Sequence, residues 1–93
     1  MIQFLVHDKR DTVAVAVVDV KAGQSLSGRS LDTNDTVQSG ANIDIPLGHK
    51  IALKDFKVGD DVVKYGVVIG RVVQPIKKGD HVHVHNVKTK RWA

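Results

Sequence analysis

The sequence predicts a small all-β domain with short strands and glycine turns, on three observations. The apolar residues are mostly Val, Ile, Ala and Leu, and the only aromatics are Phe4, Phe56, Tyr65 and Trp92. β-Branched side chains suit the pleated, half-buried surface of a sheet. A turn-forming element recurs as Val20-Lys21-Ala22-Gly23-Gln24-Ser25-Leu26, Phe56-Lys57-Val58-Gly59-Asp60-Asp61-Val62 and Ile76-Lys77-Lys78-Gly79-Asp80-His81-Val82. Each copy reads apolar, Lys, any residue, Gly, polar, any residue, apolar. Glycine reaches positive φ without a steric penalty, so each copy predicts a tight turn ahead of a strand. Finally, no stretch has the periodicity of a useful amphipathic helix, whereas His81 to Val87 alternates with period two.

The elements follow in chain order. Met1 to Asp8 has neither a basic leader nor a long apolar run, so it does not read as a signal peptide. Thr12 to Val20 is almost continuously apolar, as expected of a strand covered on both faces. Ser25 to Asn42 is rich in Ser, Gly, Asp, Thr and Asn, and reads as a loop-rich excursion with one edge strand at most. Pro46 and Pro75 sit at strand boundaries, where a missing N–H is tolerated. Lys50 to Phe56, Asp61 to Tyr65 and Val67 to Val73 predict further strands, with Gly70 marking a bulge or a close backbone approach. The end, Lys88 to Ala93, reads as an exposed tail. The uneven spacing of the turns excludes a solenoid, and the whole chain, 1–93, is expected to be one domain.

Composition excludes several functions. The chain has no cysteine, so it supplies no disulfide, zinc thiolate or iron–sulfur ligand. No apolar run reaches the roughly 20 residues of a spanning helix. A soluble, cytoplasmic protein is therefore expected, with no membrane partner. The net charge of +4 is ordinary for solubility and also suits a small anionic substrate. Nucleic acid is not expected, because the basic cluster at Lys88, Lys90 and Arg91 has only Trp92 beside it. At 93 residues the core is modest, which favours a partner subunit.

Candidate chemistry lies with His, Lys and Tyr. On a strand His81, His83 and His85 would share one face, and no more than two of them would reach one metal ion. A solvated edge-strand face explains the same pattern equally well. His49 follows the Pro46-Leu47-Gly48 turn at a rim, where it is either a functional residue or an ordinary exposed one. Lys64 sits in an apolar stretch before Tyr65 and Gly66, where it can be a base, an anion clamp or a snorkelling lysine. His7, Asp8 and Asp11 form a polar group that says little alone. No phosphate-binding loop, nucleophilic-serine motif or HExxH is present.

Taken together, these motifs carry a family resemblance. They are His7, Asp11-Thr12-Val13-Ala14-Val15-Ala16, Ile45-Pro46-Leu47-Gly48-His49-Lys50-Ile51-Ala52-Leu53, Val63-Lys64-Tyr65-Gly66, Ile69-Gly70, His81-Val82-His83-Val84-His85-Asn86 and Lys88-Thr89-Lys90-Arg91-Trp92. In this order the chain resembles the small (alpha) subunits of (2R)-sulfolactate sulfo-lyase and the N-terminal domains of altronate and, more distantly, galactarate dehydratases. Thr12 stands where the dehydratases usually have Asn.

The resemblance implies a SAF-type β-clip fold and a metal-dependent lyase, with iron(II) the usual ion and another divalent metal the alternative. It implies a large (beta) catalytic subunit as partner and a hydroxy-acid anion as substrate. The ending Lys-Thr-Lys-Arg-Trp favours the sulfo-lyase, in which sulfite and a proton leave (2R)-3-sulfolactate. The resulting assignments are Lys64, His49 and Tyr65 as catalytic, His83 and His85 as metal ligands, and Lys50, His7 and Asn86 as substrate-binding. Two alternatives remain: a subunit of a sugar-acid dehydratase, and a non-catalytic module that binds a sugar-acid or hydroxy-acid anion. The isolated subunit can also associate with itself.

Overall fold

The computed structural model describes residues 2–89. Nine short strands and no helix occur among them: β1 (Phe4–Val6), β2 (Val13–Ala16), β3 (Ser25–Ser30), β4 (Thr36–Gly40), β5 (Lys50–Ala52), β6 (Asp61–Lys64), β7 (Val67–Val72), β8 (His81–Val82) and β9 (Val87–Thr89). The expected all-β fold is what the chain adopts. Six strands form one sheet in the order β4-β3-β1-β2-β5-β8, and three form a second in the order β6-β7-β9. Only β1 and β3 pair in parallel.

β2 and β5 lie at the centre and explain the long apolar run. Ala14 and Ala16 of β2, with Ile51 of β5, join a core with Phe4, Val6, Leu26 and Ile45. Val13 and Ala52, from the same two strands, join a second core with Phe56, Val62, Val72, Ile76 and Val82. Successive side chains of a strand point to opposite faces. Both faces of β2 are thus covered, as its composition predicts, although the strand itself stops at Ala16.

The recurrent heptads are the turns expected. Gly23, Gly59 and Gly79 have φ of 86°, 97° and 91°. In each turn the polar residue after glycine closes the loop on the backbone of the lysine. Gln24 Oε1 accepts from Lys21 N at 2.7 Å, Asp60 Oδ2 from Lys57 N at 2.9 Å, and Asp80 Oδ2 from Lys77 N at 2.9 Å. Ile45 to His49 is a fourth turn of this kind, with Gly48 at φ 86° and His49 N donating to Pro46 O. The turns associate in pairs: Val20 and Ile45 exchange two backbone hydrogen bonds, and so do Phe56 and Ile76.

Four expectations need correction. Phe4–Val6, unassigned from sequence, is a strand that joins β2 to β3. The polar segment 25–42 holds a regular hairpin, β3–β4, instead of loops with one edge strand. Its polarity comes from the exposed edge position of β4, while Leu26, Gly28 and Ser30 of β3 face inward, Gly28 leaving room for the Phe4 ring. The histidine segment leaves the strand after Val82 and turns. Lys88 and Thr89 are not tail but pair with β7, and the rest of the expected tail lies outside the described residues. Gly70 is a close approach, as expected: a Cβ there would meet Lys88 O at 2.6 Å.

Candidate functional site

The turn after β8 is built by Asn86. Its Oδ1 accepts from His83 N at 2.9 Å, and its Nδ2 donates to His81 O at 2.8 Å. Asn86 and Val87 also donate their backbone N–H groups to His83 O. The buried Asn86 amide is thereby hydrogen-bonded through both its oxygen and its nitrogen, and it pins the bend. His81 pairs with Ile51 on β5, one residue beyond Lys50, so His49 is carried to the same place by the Gly48 turn.

His49, His81 and His83 therefore converge. His49 Nδ1 and His81 Nε2 are 2.8 Å apart, and the His49 and His83 rings stack at 4.4 Å between centroids. One ring nitrogen from each of the three lies within 4.8 Å of the others. Burial pushes the pKa of His81 down, and the neighbouring His49, His85 and His83 add to it. His83 is lowered by desolvation first, then by His49, Lys50 and His85. Both are thereby held toward neutral imidazole, the form that ligates a metal. His85 packs beside His81 with centroids 5.4 Å apart and stays outside the trio.

A second group surrounds the β6–β7 hairpin. Tyr65 and Gly66 form its two-residue loop with φ of 56° and 70°, the signature of a type I′ turn. Tyrosine is rare in that conformation, which is tolerated where the surroundings over-determine it. The Tyr65 ring lies 4.2 Å from that of His7, with Oη 3.3 Å from His7 Nε2. Lys64 Nζ stands 5.1 Å from the centre of the same ring. Gly66 N donates to buried Asp11 Oδ1 at 2.9 Å, and Asp8 N donates to the other Asp11 oxygen at 3.2 Å. Arg10 closes the face of Gly66 through a bidentate pair with Asp8, both bonds 2.9 Å.

Lys50 connects the two groups, because its charge lowers the pKa of both His83 and Lys64. For Lys64 burial is the larger cause, Lys50 the second, and Asp11 opposes them. The structure thus gathers His49 and His83 with Lys50, and Lys64 and Tyr65 with His7. It places Asn86 under the histidine turn, where its amide serves the backbone. His81, which sequence reasoning left out of the ligand pair, is a member of the trio. Asp11 was equally undervalued, since nothing in its local sequence shows that it reaches a hairpin far along the chain.

Residues 2–90 match the family described as "Altronate/galactarate dehydratase SAF domain". The chain belongs to this SAF-domain family. It is 54% identical over 92 residues to the (2R)-sulfolactate sulfo-lyase subunit alpha of Chromohalobacter salexigens, covering 98% of each chain. It is 52% identical over 59 residues to the protein of the same name from Paracoccus pantotrophus, covering 63% of this chain and 88% of that one. It is 42% identical to the altronate dehydratase of Bacillus subtilis over 96% of this chain but 17% of the longer protein. In the dehydratases the SAF domain is an N-terminal piece of a larger polypeptide. The helix-free, two-sheet architecture agrees with a SAF-type fold.

Proposed function

We propose that this chain is the small subunit of a metal-dependent carbon–sulfur lyase that eliminates sulfite from (2R)-3-sulfolactate to give pyruvate, with a separate large subunit. The observation that carries this reading is end-to-end similarity to a sulfo-lyase subunit alpha at 54% identity. The cytoplasm is the expected compartment.

The reaction is a β-elimination. A base takes the C2 proton, the C2–H electrons form the C2–C3 double bond, and sulfite leaves C3 with the C–S electrons. The enol so formed tautomerises to pyruvate. The histidine trio fits a divalent transition ion: three nitrogen donors within 4.8 Å, two of them held toward neutral. An all-imidazole set suits iron(II), zinc, cobalt or nickel better than magnesium or calcium. We assign His49, His81 and His83 to hold the ion, with His85 beside them. Once bound, such an ion acts as a Lewis acid toward the substrate's carboxylate and hydroxyl.

The other roles belong to the chain's own side chains. Lys50, next to His83, draws the anionic substrate toward the trio. Lys64 is the base: burial and Lys50 favour its neutral amine, which is the form that accepts a proton. Tyr65 donates a hydrogen bond to an anionic end of the substrate, and His7 orients its phenol. Asn86 positions His81 and His83 through their backbone.

The test is co-purification from the native cell, followed by an assay of sulfite and pyruvate from (2R)-3-sulfolactate with iron(II). A longer partner and equal amounts of both products are expected. A partner with water released from altronate, and no sulfite, would establish the dehydratase reading that the family match also supports. Binding of a sugar acid with no turnover beside any partner would instead make the chain a binding module.

A further inference from the structure

A cleft opens between β5, β8, the β6–β7 hairpin and β9. Ile69, Val84 and Val87 make its apolar side, Lys50 and His83 its polar end, and Thr89 lies on its margin. Its volume is about 130 Å³. Pockets for small ligands usually enclose about 300–1,000 Å³, so this one is too small for a ligand and has room for one anchoring side chain. Val84 is 78% exposed between His83 and His85, the most exposed of the large hydrophobic residues described. It lies beside Ile69 and Val87 on the cleft, so the apolar surface there is continuous with the polar end at Lys50 and His83.

The course of the chain says what covers it. The SAF domain of the dehydratases is followed by the remainder of a polypeptide of which it is 17% or 16%. The last strand among the described residues is β9, whose last residue, Thr89, is on the cleft. In the longer relatives the polypeptide thus continues from a strand whose last residue lines this cleft. The sulfo-lyase relative is matched over 98% of its length and is named as one subunit, which implies a partner chain in that enzyme.

We propose that this cleft is the seat of the large subunit, which inserts a side chain beside Val84 and closes the site over Lys50 and His83. The inference rests on the reading of the chain as one subunit of a two-chain lyase. It makes the catalytic site a shared one: the small subunit brings the imidazoles and lysines, and the partner covers them and excludes water.

The experiment measures the affinity of the large subunit, co-purified from the native cell, for the unmodified chain and for Val84→Asp, Thr89→Arg and Val58→Asp. All three positions are exposed, and Val58 lies on a turn outside the cleft. Val84→Asp and Thr89→Arg are expected to weaken binding at least tenfold with melting temperatures unchanged, and Val58→Asp to bind as the unmodified chain does. Equal binding by the two cleft variants, or an equal loss in Val58→Asp, would overturn the cleft as the seat and leave the two-subunit reading in place. An unmodified chain that binds no larger partner would overturn both.

Discussion

At His49, His81 and His83 the separation of the ring nitrogens decides the chemistry. Three donors within 4.8 Å can close on one ion with small rotations of the side chains. Cobalt(II) titration of the isolated chain should show one site by its visible absorption. His49→Ala, His81→Ala and His83→Ala should each weaken it by at least about tenfold, whereas His85→Ala should cost less than the loss of a ligand. Equal losses at all four positions would replace the trio with a four-histidine site. Lys64 provides a pH test of the neighbouring group. Its ammonium form is disfavoured in the folded chain, so its folded pKa lies below that of the unfolded chain. Between those two values the unfolded state holds more protons, and the Lys64 contribution to stability rises with pH through that window. NMR of the reductively methylated protein should show Lys64 titrating below the surface lysines. Substitution Lys50→Met should raise its pKa, because one of the two causes of the shift is then gone.

The elements show which parts of this arrangement could be read from sequence. The turns were legible because the apolar-Lys-x-Gly-polar pattern is local: glycine, the closing side chain and the lysine N–H all lie within one heptad. β2 was legible because both of its faces are buried. β1 was not, since three residues give too short a pattern to separate from loop. The histidine segment misled because alternation continues in its sequence while the Asn86 amide ends the strand two residues in. The resemblance pointed to His49, His83 and His85, whereas the ring nitrogens that converge are those of His49, His81 and His83. Convergence with His49 depends on the pairing of β5 with β8, a contact across 30 or so residues that no local pattern carries. Asp11 is the clearest case of a long-range role, because it holds the Tyr65–Gly66 loop to the segment before β2. Asp11→Ala leaves two backbone N–H groups without their acceptor and should destabilise the domain by about 1–3 kcal/mol in urea unfolding. The Tyr65 and His7 ring signals should shift in the same variant. Unchanged ring shifts would mean that the hairpin keeps its shape without Asp11.

Over the whole molecule, two small cores replace the single one typical of a domain. The described chain has a radius of gyration of 12.2 Å, as expected for a compact domain of this length, but it measures 37 × 27 × 19 Å. Such a flattened body invites separate unfolding of its two halves. The packing argues against it, because neighbouring residues of the same two strands supply both cores: Val13 and Ala14 on β2, Ala52 and Ile51 on β5. Thr12 also ties the sheets together, its N–H donating to Val63 O and its hydroxyl accepting from Val63 N, both at 3.0 Å. Neither core can lose its packing without distorting β2 or β5, and so removing part of the other. Val62→Ala, which empties space in the second core only, should therefore cost about 1–3 kcal/mol and lower the exchange protection of the Leu26 amide in the first core by the same amount. If Leu26 protection held while that of Val72 fell, the two halves would be separate cooperative units. The histidine trio, carried at the ends of β5 and β8 where they meet, would then depend on one half alone; the shared strands place it instead under the stability of the entire fold.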